Sequence, residues 1–182
     1  EFFTTTTRAL LKAEQDAGVP HHVALSIVGV DKAPVDYYAG KVAQEKVIAA
    51  GNVPWTIQRA TQFHEFAAQM FNQAKVGPLH LAPKMRTQPV AAREVAELLV
   101  TRAENNPVGR ATDLAGPHEE SLATMIRAYA RATAHRGWIP AIGLPGAFGK
   151  AQRDGSLLPE AGATLGTQTF AEWVSSVAAQ SR

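Results

Sequence analysis

The first third of the chain alternates between blocks with helical spacing and continuous apolar runs. Apolar positions predict a helix over Arg8–Ala17, which ends at Gly18. The run Val23–Val28 is apolar without alternation, and this is typical of a strand buried on both faces of a parallel sheet. A second helix over 37–50 and a second strand over 54–59 follow with short links. This order predicts βαβ units and a parallel sheet with right-handed crossovers.

The rest of the chain is less regular. Its pattern predicts, in chain order, a helix over 63–73, a strand over 79–81, a helix over 91–104, an extended segment over 107–117 and a helix over 122–134. Ser121 is the expected cap of the last of these helices. Residues 137–149 predict a loop because they are rich in Gly and Pro. A final helix is expected to begin at a capping box formed by Thr169 and Glu172.

Composition narrows the class of protein. The chain has 182 residues, of which 46% are hydrophobic and 19% charged, as in an ordinary globular domain with one core. The formal net charge is +2 and the basic residues are scattered, so no nucleic-acid partner is expected. The absence of cysteine excludes disulfides and thiolate sites and agrees with a cytoplasmic location. The apolar stretch Val23–Val30 is far shorter than the ~20 residues that span a bilayer, so no membrane association is expected.

A tyrosine and a lysine one helical turn apart form the first candidate for chemistry. Tyr37 and Lys41 share one face of the second predicted helix because they are four residues apart. An ammonium group near a phenol favours the phenolate and brings the phenol pKa closer to the range useful for proton transfer. The alternative is structural: Tyr37 packs and Lys41 pairs with Glu45 on the next turn.

Two neighbouring segments strengthen this candidate. Ser26 lies on the buried strand before the helix, where a hydroxyl could orient a carbonyl oxygen at the carboxyl end of the sheet. The segment Arg59–His64 directly follows the second strand and would overhang the same crevice. Structural alternatives stay open, because a backbone group can satisfy the serine, and the segment can be a strand end with a surface arginine and a core phenylalanine.

Two other patterns do not support a site. Gly143–Gly149 has the glycine spacing of a phosphate-binding loop, but Pro145 lacks the N–H that such a loop uses, so a turn-rich loop is expected. His64 and Glu65 begin like a zinc-protease helix, but Ala68 stands at the position of the second histidine. No metal site is expected.

Several segments together resemble one family. The resemblance is to the NmrA-like, NAD(P)H-binding branch of the atypical short-chain dehydrogenases/reductases, and it is carried in chain order by His22–Asp31, Tyr37–Glu45, Pro54–Phe63, Gln88–Val90, Ala115–Pro117, Ser156–Pro159 and Thr169–Trp173. It implies an α/β fold with a Rossmann-type doubly wound parallel sheet. It also implies NAD(P)(H) as cofactor, with NADP(H) favoured, and a small carbonyl or quinone as substrate.

The resemblance also implies a division of the chain. Residues 1–62 would be the second half of a Rossmann-like core, and residues 63–182 a smaller C-terminal, substrate-side portion packed on the same domain. The family's N-terminal βαβ portion and its glycine-rich turn would precede Glu1. The chain has no initiator methionine and runs directly into a helical pattern, which agrees with a start inside a fold. The alternative is an initiator and short leader lost by processing.

The resemblance assigns roles to individual residues. Tyr37 would be the acid/base, with Tyr38 an alternative for the same position, Lys41 would lower its pKa and bind the nicotinamide ribose, and Ser26 would orient the substrate oxygen. The remaining expected contacts are Ala60, Thr61, Gln62 and Phe63 with the cofactor and Val28, Gly29 and His64 with the substrate.

Three functions remain open from the sequence. The first is a full NAD(P)-dependent oxidoreductase. The second is a non-catalytic NAD(P)-sensing protein of the NmrA type that regulates a protein partner. The third is an incomplete fragment with no activity of its own, whose uncovered sheet edge would favour association with a protein partner or a second copy.

Overall fold

The computed structural model describes residues 2–77 and 79–180 of the chain. Its helices are α1 (Phe2–Asp16), α2 (Asp36–Ala49), α3 (Phe66–Gln73), α4 (Ala92–Glu104), α5 (Leu122–Ala132), α6 (Gly146–Asp154) and α7 (Phe170–Gln180). Its strands are β1 (His22–Ile27), β2 (Trp55–Ala60), β3 (Lys75–Val76), β4 (Leu79–His80), β5 (Ala82–Pro83), β6 (Arg86–Thr87), β7 (Gly109–Arg110), β8 (Leu114–Ala115), β9 (Glu120–Ser121), β10 (Ala141–Ile142) and β11 (Thr164–Leu165).

The central sheet is parallel throughout its described strands. β1 pairs with β2 along its whole length, from His22 opposite Trp55 to Ile27 opposite Ala60. β2 also pairs with β7 and, at its carboxyl end, with β8, which in turn pairs with β11. Within the described residues β1 therefore forms one edge of the sheet, and strands from the C-terminal part of the chain complete it. The predicted α/β class and Rossmann-type parallel sheet are confirmed.

Helices cover both faces of this sheet. Ser26 and Arg59 occupy the same register on neighbouring strands, and Arg59 is joined to Glu45 of α2 on that face. Gln58 faces the other way and accepts a hydrogen bond from Arg102 of α4. The alternation of side chains along a strand thus directs successive residues toward two different helices, as in a doubly wound sheet.

Among the described residues, two clusters of buried hydrophobic side chains hold the layers together. The smaller core lies between the sheet and α4 and is built on Ala60, Val90, Val95 and Leu114. The larger core joins α3, α5, α6 and α7, and its most buried members include Ala67, Leu122, Met125, Ile126 and Leu157. The predicted division at residue 62 stays a prediction, since strands on both sides of it share one sheet.

Several predicted boundaries are wrong. α1 begins at Phe2 rather than at Arg8, because its first turns already pack on α2 through Phe3 and Thr7. α3 begins at Phe66 rather than at residue 63. The loop predicted over 137–149 contains the start of α6, where Gly146 and Gly149 weaken the helical pattern directly after Pro145.

Shorter elements also differ from the prediction. The strand expected over 79–81 is β4, which ends at His80 and pairs antiparallel with β3. The sequence did not predict β5, which follows at Ala82 and pairs in parallel with β10. Ser121 stands at the N-cap of α5 as predicted, but its side chain makes no capping hydrogen bond. The capping box of α7 is confirmed, since Glu172 accepts from the Thr169 backbone N–H at 2.8 Å and donates its own N–H to the Thr169 hydroxyl at 3.2 Å.

No helix in the described ranges is both long and apolar enough to cross a membrane.

Candidate active site

A cavity of about 640 Å³ opens at the carboxyl ends of β1 and β2. Its wall contains, from the segments singled out in the sequence, Leu25, Ser26, Ile27, Tyr37, Tyr38, Lys41, Ala60, Thr61, Gln62 and Phe63. Ligands bind at this end of open parallel sheets because the loops that follow the strands leave a crevice there. The structure therefore brings together all three predicted catalytic residues and all predicted cofactor contacts.

The other side of the cavity is mainly apolar. Aromatic, methionine and aliphatic side chains from α3, α5, α6 and their connections face it, namely Phe66, Met70, Pro83, Met85, Leu122, Leu144 and Phe148. The polar groups on this side are Glu65, Gln69 and Gln152. Such a wall suits a small, largely apolar ligand that is oriented by a few hydrogen bonds.

Lys41 lies at the sheet side of the cavity and is almost completely buried. Its ammonium donates a hydrogen bond of 2.8 Å to the backbone oxygen of Leu25 and another to the side-chain oxygen of Gln44. Burial lowers the pKa of Lys41, and the nearby Glu45 carboxylate partly opposes this shift. An ammonium carries three N–H donors, so one remains for a ligand.

The two adjacent tyrosines occupy different environments. Tyr37 is 59% exposed, and its ring packs edge-on against Phe3 of α1 with 5.3 Å between ring centroids. Tyr38 is more deeply placed and packs edge-on against Phe148 at 5.4 Å. Burial raises the pKa of Tyr38, although a hydrogen bond from Gln62 partly opposes it. Neither tyrosine is hydrogen-bonded to Lys41, so the choice between them stays open.

Gln62 holds Tyr38 in place through an oriented amide. The side-chain oxygen of Gln62 accepts a 2.8 Å hydrogen bond from the hydroxyl of Thr87, which is fully buried. The amide nitrogen of Gln62 therefore faces Tyr38 and donates to its hydroxyl oxygen at 3.2 Å. The Tyr38 hydroxyl accepts here, and its own hydrogen is left to point elsewhere.

Ser26 lies beside a buried ion-pair network. It is 4% exposed, and no group in the described ranges meets its oxygen with hydrogen-bonding geometry. Its hydroxyl is nevertheless close enough to Glu45 to help lower the pKa of that carboxyl group. Burial raises the pKa of Glu45, but the hydrogen bonds and charge of Arg59 outweigh this effect. Ser26 thus retains hydrogen-bonding capacity at the cavity wall.

The three predicted substrate contacts lie elsewhere among the described residues. Val28 and Gly29 line a separate small, charged pocket with Arg59 and Arg110. His64 is fully buried, where its Nε2 donates to the backbone oxygen of Gln168 at 3.1 Å and burial lowers its pKa. The structure does not place any of these three residues in the wall of the large cavity.

Some residues of the cavity wall were not predicted from the sequence. Gln152, Phe148 and Met85 belong to segments that were predicted as loop or left unassigned. Phe148 and Gln152 are four residues apart on α6, so a correct helix prediction there would have placed them on one face. Gly146 and Gly149 lower the helical propensity of this segment, so its sequence predicted a loop.

The residues present fit the nicotinamide end of a dinucleotide. The third N–H of Lys41 and the oxygen of Ser26, which accepts no hydrogen bond among the described residues, supply a donor and an acceptor for a ribose or a carboxamide at the sheet edge. In the glycine-spaced segment 143–149, a Cβ at Gly149 would lie 1.9 Å from the backbone oxygen of Leu144. That glycine is required by the turn itself.

Comparison with solved structures identifies the fold. No family model and no curated protein sequence matches the chain. NADPH-dependent quinone oxidoreductase QOR2 of Escherichia coli superimposes with a TM-score of 0.67 and 16% identity over 94% of this chain and 72% of that chain. The dehydratase TunA of tunicamycin biosynthesis gives 0.66 and 15%, over 99% and 70%. A nucleoside-diphosphate-sugar epimerase of Staphylococcus aureus gives 0.63 and 14%, over 92% and 69%.

Proposed function

We propose that this chain is the substrate-side part of an NAD(P)-dependent oxidoreductase of the atypical short-chain dehydrogenase type. The observation that carries the proposal is the convergence of Ser26, Tyr37, Tyr38 and Lys41 on one cavity at the carboxyl ends of two parallel strands. Titratable groups with shifted pKa values in a concave site are typical of catalytic centres. Two of the similar folds named above belong to proteins described as dependent on a nicotinamide cofactor, NADPH for QOR2 and NAD for TunA.

The reaction we propose is reduction of a small carbonyl compound or quinone. A bound NAD(P)H would supply the hydride that adds to the substrate. Tyr37 donates its hydroxyl proton to the substrate oxygen as negative charge develops there, and water returns the proton afterwards. In this scheme the Ser26 hydroxyl turns away from Glu45 and donates a second hydrogen bond to the same oxygen. Both groups orient the carbonyl and stabilise the charge that it acquires.

Lys41 has an electrostatic and a binding role in this scheme. Its ammonium is held by Leu25 and Gln44 rather than by a tyrosine, so it acts on the phenol through space. The positive charge favours the phenolate that forms when Tyr37 gives up its proton. Its remaining N–H would hold a ribose hydroxyl of the cofactor, with Thr61 to Phe63 along the same side. NADP(H) rather than NAD(H) stays a prediction.

One observation favours a second function, a non-catalytic NAD(P) sensor of the NmrA type. Tyr37 is more than half exposed, and neither Tyr37 nor Tyr38 is hydrogen-bonded to Lys41. Such a site could bind the nicotinamide end without transferring a proton. A sensor would bind NADPH and would not consume it with any substrate of the panel. A pull-down with the sensor would recover a protein partner.

The test compares turnover with cofactor binding. NADPH binding and consumption are measured with a panel of quinones and aldehydes, for the 182-residue chain and for the product extended by its native upstream coding sequence. In the protein that binds NADPH, Tyr37→Phe should lower kcat by about 10²–10⁴-fold and leave the cofactor Kd within about twofold. Tyr38→Phe is measured alongside it as the test of the alternative acid/base.

The outcomes separate the hypotheses. A large kcat loss confined to Tyr38→Phe would move the acid/base role to Tyr38. NADPH binding without consumption would support the sensor. Absence of NADPH binding by both proteins would contradict the proposal and leave the fragment hypothesis.

A further inference from the structure

Gln152 is a buried amide in the wall of the cavity. It lies on α6, its side chain is 8% exposed, and it faces the cavity beside Phe148 and Leu144. Its side-chain oxygen has no hydrogen-bond partner among residues 2–77 and 79–180. A buried amide without a partner loses its hydration and gains nothing in return, so most buried amides are paired. This one is left for a group that enters the cavity.

A second hydrogen-bonding group, the Tyr38 hydroxyl, belongs to a residue that lines the same cavity as Gln152. Phe148, one helical turn before Gln152, packs against the ring of Tyr38 with 5.4 Å between centroids. The Tyr38 hydroxyl accepts from Gln62, so its own hydrogen remains free to be donated. The wall therefore offers an acceptor at Gln152 and a donor at Tyr38, set in an apolar surface.

Packing alone does not explain a glutamine at position 152. The apolar residues Leu122, Leu144, Phe148 and Met85 line the same cavity, and an apolar side chain at position 152 would match them better. Gln69 shows the contrast, because it lines the same cavity but is exposed and is paired with Gln73. A solvated glutamine has no unmet hydrogen bond, whereas Gln152 does.

We propose that Gln152 binds a hydroxyl or N–H group of the substrate and so selects ring compounds that carry such a donor. A hydroxyl suits this subsite because it can donate to the Gln152 oxygen and accept from the Tyr38 hydroxyl. The proposal deepens the proposed function, since it assumes that the same cavity holds the substrate. It concerns ligand binding only, so it can be tested without cofactor or turnover.

The test uses two probes of equal shape on the 182-residue chain. 2-Naphthol carries a neutral hydroxyl, and 2-methylnaphthalene carries a methyl group in its place. Dissociation constants are measured by isothermal titration calorimetry. Wild type should bind 2-naphthol about five- to tenfold more tightly than 2-methylnaphthalene, and Gln152→Met should reduce this preference to less than about twofold.

A stability measurement distinguishes a binding role from a structural one. Without ligand, Gln152→Met should raise the Tm by about 2–4 °C, since methionine has a similar shape and removes the unpaired buried amide. Gln73→Met, the same change at an exposed amide of α3 that does not line the cavity, should alter neither the preference nor the Tm.

The proposal is overturned by any of three results: a preference retained in Gln152→Met, a lower Tm in that variant, or no preference in wild type, including no binding of either probe. Failure of the oxidoreductase proposal would be seen separately, as NADPH that is not consumed.

Discussion

Arg59 and Glu45 form a two-pronged ion pair that joins β2 to α2. The Arg59 Nε donates to Glu45 Oε1 at 2.8 Å and Nη2 donates to Oε2 at 2.6 Å, while Nη1 reaches Asp31 at 3.0 Å. The side chains of Arg59 and Glu45 are only 6% and 14% exposed. Since α2 also carries Tyr37 and Lys41, this pair fixes the helix of the candidate site relative to the sheet.

Removing the carboxylate should therefore destabilise the protein. Glu45→Gln is expected to lower the free energy of unfolding by about 3 kcal/mol at pH 7, because it leaves the Arg59 guanidinium buried without its main partner. Urea unfolding followed by far-UV circular dichroism measures the loss. Asp16→Asn, which breaks the exposed pair with Lys12 on α1, is the control and should have little effect.

The same pair predicts a pH dependence with a definite sign. The pKa of Glu45 lies below its usual value of 4.5 in the folded protein, so the folded state binds a proton less readily than the unfolded state. The stabilisation is complete above pH 4.5 and is lost as the pH falls through the folded pKa. The difference between wild type and Glu45→Gln should shrink over that interval. A difference independent of pH would contradict the assignment.

The hydrogen bond from Thr87 to Gln62 predicts a small but specific loss. Thr87→Val keeps the shape of the side chain and removes the donor that orients the Gln62 amide toward Tyr38. We expect a loss of about 1 kcal/mol in unfolding free energy, measured in urea. Thr101→Val on the exposed face of α4 removes only a hydrogen bond to a helix carbonyl. An equal loss in both variants would argue against an oriented amide.

Gly40 should be required by the packing of α1 on α2. A Cβ at Gly40 would lie 2.5 Å from Cδ2 of Phe3, although glycine in mid-helix normally disfavours the helix. Gly40→Ala should therefore stabilise the protein by about 0.5–1 kcal/mol only in the Phe3→Ala background and fail to do so in wild type. Thermal unfolding of the four proteins of this double-mutant cycle measures the coupling. Equal effects in both backgrounds would mean that the two residues do not touch.

Gly116 should tolerate no side chain at all. A Cβ there would lie 1.7 Å from the backbone oxygen of Pro89, and a backbone atom cannot move aside as a side chain can. Gly116→Ala should cost more than about 3 kcal/mol or prevent folding, as judged by soluble yield and Tm. Gly143→Ala is the matched control, because the nearest atom to its Cβ would be a side-chain nitrogen of Arg153 at 3.4 Å. Similar losses in both variants would contradict the backbone contact.

The long elements could be predicted from the sequence because their signals are local. The unalternated run that became β1 and the capping box at Thr169 and Glu172 depend on neighbours within a few residues. The two-residue strands β5, β6, β9, β10 and β11 could not be found in this way. They are too short for any periodicity, and they form only because distant backbone segments are brought alongside.

In the candidate site, too, only the features with a local signal could be predicted from the sequence. The sequence by itself determined the α/β class, the order of the long helices and strands, and the residues on one face of α2, since helical and strand periods are properties of short segments. Only the tertiary structure decided that Gln152 joins Tyr38 in the cavity wall and that Val28, Gly29 and His64 lie outside it. Those placements depend on the direction that the chain takes after β1 and β2 and on which helices pack over these strand ends. Such contacts join residues that are far apart in the chain, so they leave no local signal.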